Sequence, residues 1–405
     1  MITKLRLHNF KTFLNFEVGL TGRHLFIGKN NSGKSNLCYA LRLLGASACT
    51  DYDKAMVPGG LSGLCHRGFR SSTAEFECHC TLPLQGQELK YEYRLHVDVG
   101  TQSPSGDVEQ AAIRTHVEQL TVSDPDFRSV ELITSDGTSV KLLNETRFFK
   151  GDPGEPIETR APVGASMLSK LYQLDTNPRA TLFKRFVASI TYHALAAPLM
   201  RYGWTLPSDG SPVLPGLGWH GNNLPFALFH LKNEDEPRYR SILEYASLLE
   251  PEIDSIGFFV TPDNRPTPYV MLKGGHRASW DSLSDGTLYV LALVTVFMQA
   301  ERSSELGRWP PPLIVIEEPE NGLFRGLLRT IWDRLSSVAV GSQFILTSHS
   351  PYFIDLFDRD LSSVTCLKKD GGVTVAKSLE DARDTIEQYR GDFSLGELHY
   401  KEAFE

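Results

Sequence analysis

The chain has 405 residues, enough for two or three domains, with a formal net charge of −8 and an ordinary balance of 41% hydrophobic and 22% charged residues. No apolar run reaches the roughly 18 residues a membrane-spanning helix needs, the N-terminus lacks a secretory h-region, and the six cysteines form no CxxC pair; this argues against a membrane span, a signal peptide, a zinc ribbon and a disulfide framework, and a reducing cytoplasm is expected. The acidic balance does not favour nucleic acid as a dedicated partner, since a long footprint calls for a basic stripe.

Residues 2–13 alternate apolar and polar and read as a strand, followed by strands at 14–20 and 24–27 and by helical spacing over 34–47. From 72 to 149 the chain reads as all-β, with strands at 74–82, 90–99, 111–122, 129–134 and 139–143. Within the first of these, alternation sends Cys78 and Cys80 to one face and His79 to the other, which favours buried thiols over a metal site. A Pro/Gly/acidic connector at 151–162 marks a boundary. Helical patterns follow at 165–200, 224–232 and 237–249, broken by a Gly/Pro/Ser-rich loop over 205–221. Strands at 255–260 and 268–272 precede a strongly apolar helix at 285–300. Then come a buried strand (313–316), a helix (327–340), a second buried strand (343–347), strands near 364–367 and 373–376, a helix at 379–390 and a short tail.

Four motifs carry chemistry. Gly28-Lys29-Asn30-Asn31-Ser32-Gly33-Lys34-Ser35 follows an apolar strand and opens a helix, the context of a phosphate-binding loop. Its glycines let backbone N–H groups face phosphate oxygens, and the helix N-terminus adds partial positive charge. Asn30, Asn31, Ser32 and Asn36 line the same turn; Lys34 is expected on the β- and γ-phosphates of ATP, and Ser35 on Mg²⁺. The run 313–316 ends in Glu317 and Glu318, one acid to hold Mg²⁺ and one to orient or deprotonate the attacking water. Ser284-Asp285-Gly286-Thr287 opens the apolar helix with a second anion-binding kit, although alone it would read as a plain N-cap. One γ-phosphate does not need two cradles, so the second makes sense for ATP held by another copy. His349, in Thr347-Ser348-His349-Ser350-Pro351, stands at a strand end where it can meet a γ-phosphate; alone it would read as a polar turn.

The order of these motifs, with about 250 residues between the first and the LSDGT segment, resembles ABC ATPases of the SMC/RecF-like branch. It is most similar to standalone bacterial ATPases without coiled coil, often classed as AAA-type and often encoded in anti-phage defence operons. The opening Leu5-Arg6-Leu7-His8-Asn9-Phe10-Lys11-Thr12-Phe13, the Gly221-Asn222-Asn223-Leu224 turn and Glu318-Pro319-Glu320-Asn321-Gly322-Leu323 share in it. Residues 70–215 have no specific match.

The resemblance implies an α/β fold: an ABC-ATPase head with a β-rich N-terminal lobe (1–150), a mainly helical insertion (151–260) and a C-terminal lobe (261–405), its mixed sheet carrying P-loop and Walker B. It implies that Ser284, Asp285, Gly286 and Thr287 are the signature contacting ATP of the opposite subunit. Glu317 takes the Walker B position, Glu318 the catalytic glutamate and His349 the switch histidine, while Glu320 and Asn321 fall in the D-loop. A clear Q-loop glutamine is missing; 59–70 lies where it would fall, with His66 a weak substitute. Phe324-Arg325 replaces the His-Pro of relatives and Tyr289 their arginine, so slow hydrolysis is expected. The implied protein is an ATPase switch forming an ATP-dependent homodimer or larger even-numbered oligomer. About 55 residues follow the last motif, too few for an appended nuclease domain, so a separate effector is expected. The alternative is a RecF-like repair ATPase that binds DNA and recruits other proteins, with Lys4, Arg6 and Lys11 as a basic edge.

Overall fold

In a computed structural model the described residues are 1–405 apart from 50–62, 67–71, 103–109, 125–126, 153–154, 172–175, 203–215, 261, 263–265, 306–309, 339–340 and 404–405. Most of the expected Q-loop stretch and of the 205–221 loop lie outside them. The strands are β1 (Ile2–Phe10), β2 (Phe13–Gly19), β3 (Arg23–Ile27), β4 (Thr73–Leu84), β5 (Gln87–Gln102), β6 (Gln110–Asp124), β7 (Phe127–Ser135), β8 (Ser139–Leu142), β9 (Ile157–Arg160), β10 (Thr191–His193), β11 (Ile253–Val260), β12 (Pro266–Leu272), β13 (Arg277–Ser279), β14 (Leu313–Glu317), β15 (Gln343–Ser348), β16 (Val364–Asp370) and β17 (Val373–Ser378).

An eight-stranded antiparallel sheet runs β2-β1-β4-β5-β6-β7-β8-β9. Its strands alternate as the sequence does: Leu5, Leu7, Phe76, Cys78, Cys80, Tyr91 and Tyr93 are buried on one face. His79 faces away and meets Glu77 at 2.7 Å, so the two thiols and the imidazole do not converge. On that outer face Lys4 pairs with Glu17, and Arg6 with Glu17 and Glu77. Such exposed pairs add little stability; they involve Lys4 and Arg6 of the expected basic edge, while Lys11 reaches toward the Gly63 carbonyl.

The second sheet, β10-β14-β15-β3-β16-β17, is parallel from β10 to β16, with β17 antiparallel at its edge. Its central strands are buried on both faces, which is why they read as unbroken apolar runs. The sheet parts two cores. Phe26, Leu313, Val315 and Ile345 face the first, with the helix Lys34–Ser47 and the large sheet. Leu25, Ile27, Ile314, Ile316, Phe344 and Leu346 face the second, with the helices Leu224–Glu234, Glu236–Ala246 and Asp285–Glu305. Replacing a buried leucine such as Leu41 by alanine in either core would cost about 2–5 kcal/mol.

The 151–162 connector contains β9, which extends the large sheet, and the 165–200 stretch contains β10, which edges the parallel sheet. Buried acids hold the helices between them, Glu118 from the large sheet and Glu145 from the short helix Glu145–Phe148. Glu118 accepts from the Leu168 N–H (3.0 Å) and the Tyr93 hydroxyl (3.0 Å). Glu145 accepts from the N–H groups of Arg179 (2.7 Å) and Ala180 (2.8 Å), while burial pushes its carboxyl up to about 7.

Candidate nucleotide site

Strand order places the chemistry. β15 lies between β14 and β3, with Glu317 opposite Thr347 and Ser348 opposite Ile27, so the segments leaving all three strands emerge side by side at their carboxyl ends. In open parallel sheets this is where ligands bind.

The loop leaving β3 turns through Gly28 (φ 148°) and Gly33 (φ 108°), conformations that side chains disfavour. A Cβ on Gly28 would also lie 2.3 Å from the Leu367 carbonyl oxygen, and one on Gly33 2.4 Å from Thr374 Oγ1. Thr374 Oγ1 donates to the Ser32 carbonyl (2.9 Å) and lies 2.8 Å from Thr12 Oγ1, and Asn36 donates to the same Thr12 oxygen (2.9 Å). Lys369 reaches Asn31 Oδ1 at 3.3 Å, and Lys29 pairs with Glu402. Asn30 is exposed. Lys34 is buried and folded back, its Nζ donating to the carbonyls of Gly28 (2.6 Å) and Lys29 (3.1 Å). Burial lowers its pKa, against the pull of Glu318 and Glu317. A phosphate would offer this ammonium stronger acceptors than neutral carbonyls.

Ser35 Oγ lies 3.4 Å from Glu317 Oε2. The other carboxylate oxygen, Oε1, is buried and accepts no well-formed hydrogen bond, although Tyr192 and Cys38 lie close enough to favour the charged form. Burial pushes the Glu317 carboxyl up from its ordinary value. A hydroxyl beside a carboxylate with an unmet buried oxygen fits a hard divalent cation such as Mg²⁺. Ser32 Oγ is likewise buried without a partner.

Glu318 adopts φ 47°, rare outside glycine, and its N–H donates to the Thr347 carbonyl at 2.9 Å. This turns its side chain toward the next strand's end. His349 Nδ1 sits 2.9 Å from Glu318 Oε1, and Asn321 Nδ2 donates to Oε2 at 2.9 Å. An ionised carboxylate only accepts, so the Nδ1 position carries the proton. Both oxygens of Glu318 are thus aligned while the side chain stays partly exposed, an arrangement suited to a base that meets water.

The signature turn is built elsewhere. Ser284 Oγ accepts from the Thr287 N–H (3.1 Å) and lies 2.8 Å from Thr287 Oγ1. Glu250 closes the turn, accepting from the Ser284 N–H (3.2 Å) and the Thr287 hydroxyl (2.5 Å). Asp285 pairs with Arg201 at 2.8 Å. Gly286 is required by close approach: its Cβ would lie 2.8 Å from the Gly322 carbonyl oxygen. The signature therefore packs on the turn after Glu318.

Ser35 meets Glu317, and His349 and Asn321 meet Glu318, with Lys34 on the adjoining loop, while Ser284 and Thr287 bond to each other and to Glu250, and Asp285 to Arg201. His66 is turned to the first strand, its Nδ1 2.8 Å from the Lys11 carbonyl. Tyr289, in the arginine position, donates to the Leu195 carbonyl at 3.1 Å, and Arg325 binds the Tyr352 hydroxyl at 2.5 Å. Thr374, Tyr192, Glu250 and Arg201 escaped sequence reasoning because each arrives from far along the chain, with no local signature.

Among solved structures, an SMC head bound to the C-winged helix domain of ScpA matches with TM-score 0.52 and 17% identity, covering 94% of this chain and 99% of that one. A Pyrococcus furiosus SMC head with an extended coiled coil, bound to the C-terminal domain of ScpA, matches at TM-score 0.47 and 15% identity, covering 96% and 99%. The fold is that of SMC head ATPase domains. No curated protein matches the chain. A family profile, described as "AAA domain, putative AbiEii toxin, Type IV TA system", matches residues 24–355, and the chain belongs to that family.

Proposed function

We propose that this protein is an ATP-driven switch: two copies, or a larger even-numbered assembly, sandwich ATP·Mg²⁺ between them, hydrolyse it slowly and control a separate effector in anti-phage defence. One observation carries the reading. The phosphate loop, Ser35, Glu317, Glu318 and His349 gather at one end of the parallel sheet, whereas the signature turn, packed through Gly286 on the Gly322 carbonyl, bonds to Glu250 and Arg201 and not to the phosphate loop. A second copy gives that second cradle a γ-phosphate to meet.

In this reading Lys34 exchanges its loop carbonyls for the β- and γ-phosphate oxygens. Ser35 and Glu317 would hold Mg²⁺, which would supply neutralisation of the phosphate charge. Glu318, aligned by Asn321 and His349, takes a proton from water. The water oxygen bonds to the γ-phosphorus as the bond to the β–γ bridging oxygen breaks, and ADP leaves with that electron pair.

The defence setting draws support from the family's description, which names an AbiEii toxin of a type IV toxin–antitoxin system. Control of a partner draws support from SMC heads that bind ScpA. Capture of the tagged protein with the products of its neighbouring genes tests the effector arm: a partner should be retained in a nucleotide-dependent way. Recovery of the ATPase alone in every nucleotide state would count against it. For a DNA-loading ATPase, by contrast, DNA affinity should fall steeply as salt rises.

A further inference from the structure

We infer that Glu320 is a positioning residue for hydrolysis, fixing the loop that carries His349 through Ser348 of the same chain. The inference rests on the ATPase reading above and deepens it. Parallel pairing of β14 and β15 brings two short turns out side by side, one holding Glu318-Pro319-Glu320 and the other Ser348-His349-Ser350. The positive φ of Glu318 and the proline after it bend the first turn back onto the second. Two bridges then join them: Glu318 to His349, and Glu320 to Ser348.

Ser348 is fully buried. Its Oγ donates to Glu320 Oε1 at 2.5 Å and accepts from the Ser350 N–H at 3.0 Å. One hydroxyl therefore links the residues on both sides of His349 to the segment that bears the base. The second Glu320 oxygen, Oε2, is buried and makes no well-formed hydrogen bond, although the residue's own backbone N–H favours the charged form. Holding such an acid costs stability, so stability alone is a poor reason for its presence. Burial pushes its carboxyl up, and the bond from Ser348 opposes this. Glu320 and His349 both line one cavity of about 300 Å³, together with Arg325 and Tyr352. The resemblance puts Glu320 in the D-loop; its contact with Ser348 lies within one chain.

Steady-state phosphate release and equilibrium ATP binding, measured on the full chain, test the inference. Glu320→Ala and Ser348→Ala should each lower kcat about 10- to 100-fold, with KM and ATP affinity changed less than about twofold, because geometry is lost while binding is kept. Glu320→Gln and Ser348→Thr, which keep an acceptor and a hydroxyl, should recover most of the rate. The Glu320→Ala/Ser348→Ala double variant should be no slower than the worse single one. Should Glu320→Ala fail to fold, Ser348→Ala tests the same bridge from its other side. Unchanged kcat in Ser348→Ala, losses that multiply in the double variant, or kcat and affinity falling together with Tm would each overturn the inference. If wild type hydrolyses ATP in a Lys34-dependent way and these variants match it, the inference alone fails; if wild type is inert, the ATPase reading fails with it.

Discussion

At the carboxyl ends of β3 and β14, Lys34 folds onto the carbonyls of its own loop, and Glu317 Oε1 and Ser32 Oγ are buried without a well-formed hydrogen bond. At the signature turn Ser284 and Thr287 bind each other and Glu250, and Asp285 holds Arg201. Both regions join a helix N-terminus to small polar side chains, the ingredients of an anion site. They differ in what they lack. The first has buried polar atoms with unmet bonding capacity beside a lysine, and the second is a turn braced by its own neighbours. A turn braced in this way loses little ordering entropy when a ligand arrives from outside.

That contrast can be broken by substitution. Lys34→Met should have the largest effect, lowering phosphate release by about 10²–10³-fold and weakening ATP binding by the isolated chain. Gly286→Asp should lower phosphate release about 10- to 100-fold, because any side chain there collides with the Gly322 carbonyl, yet leave ATP binding by the isolated chain intact. If Gly286→Asp weakens that binding as much as Lys34→Met does, the two regions serve one nucleotide in one chain and the contrast disappears. Glu250→Gln should have the smallest effect, about 3- to 10-fold on phosphate release, since the amide Oε1 can still accept from both the Ser284 N–H and the Thr287 hydroxyl and only the charge that strengthens those bonds is lost. A larger loss than Gly286→Asp would show that bracing matters more than the approach of the two loops.

What the sequence made legible follows the range of the forces involved. The helix Lys34–Ser47 and the runs in β14 and β15 were visible because double-sided burial writes itself into consecutive residues. Glu317, Glu318 and His349 were visible because each ends such a run. β10 and β13 were not, since three residues show no alternation and each is held by pairing with a neighbouring strand. The short C-terminal tail, for which no element is expected, contains the helix Leu395–Tyr400, whose capping box of Ser394 and Glu397 was a readable local signal. Glu250, Arg201 and Thr374 were illegible for another reason: only folding brings them to the motifs they brace.

The central claim is that two copies complete the site, and the mass of Glu318→Gln with and without ATP·Mg²⁺ tests it most directly. Removing the base should slow phosphate release by about 10²–10³-fold while leaving binding in place. A dimer, or a larger even assembly, that forms only with ATP is the predicted result. A variant that binds ATP yet stays monomeric at every protein concentration would contradict the account.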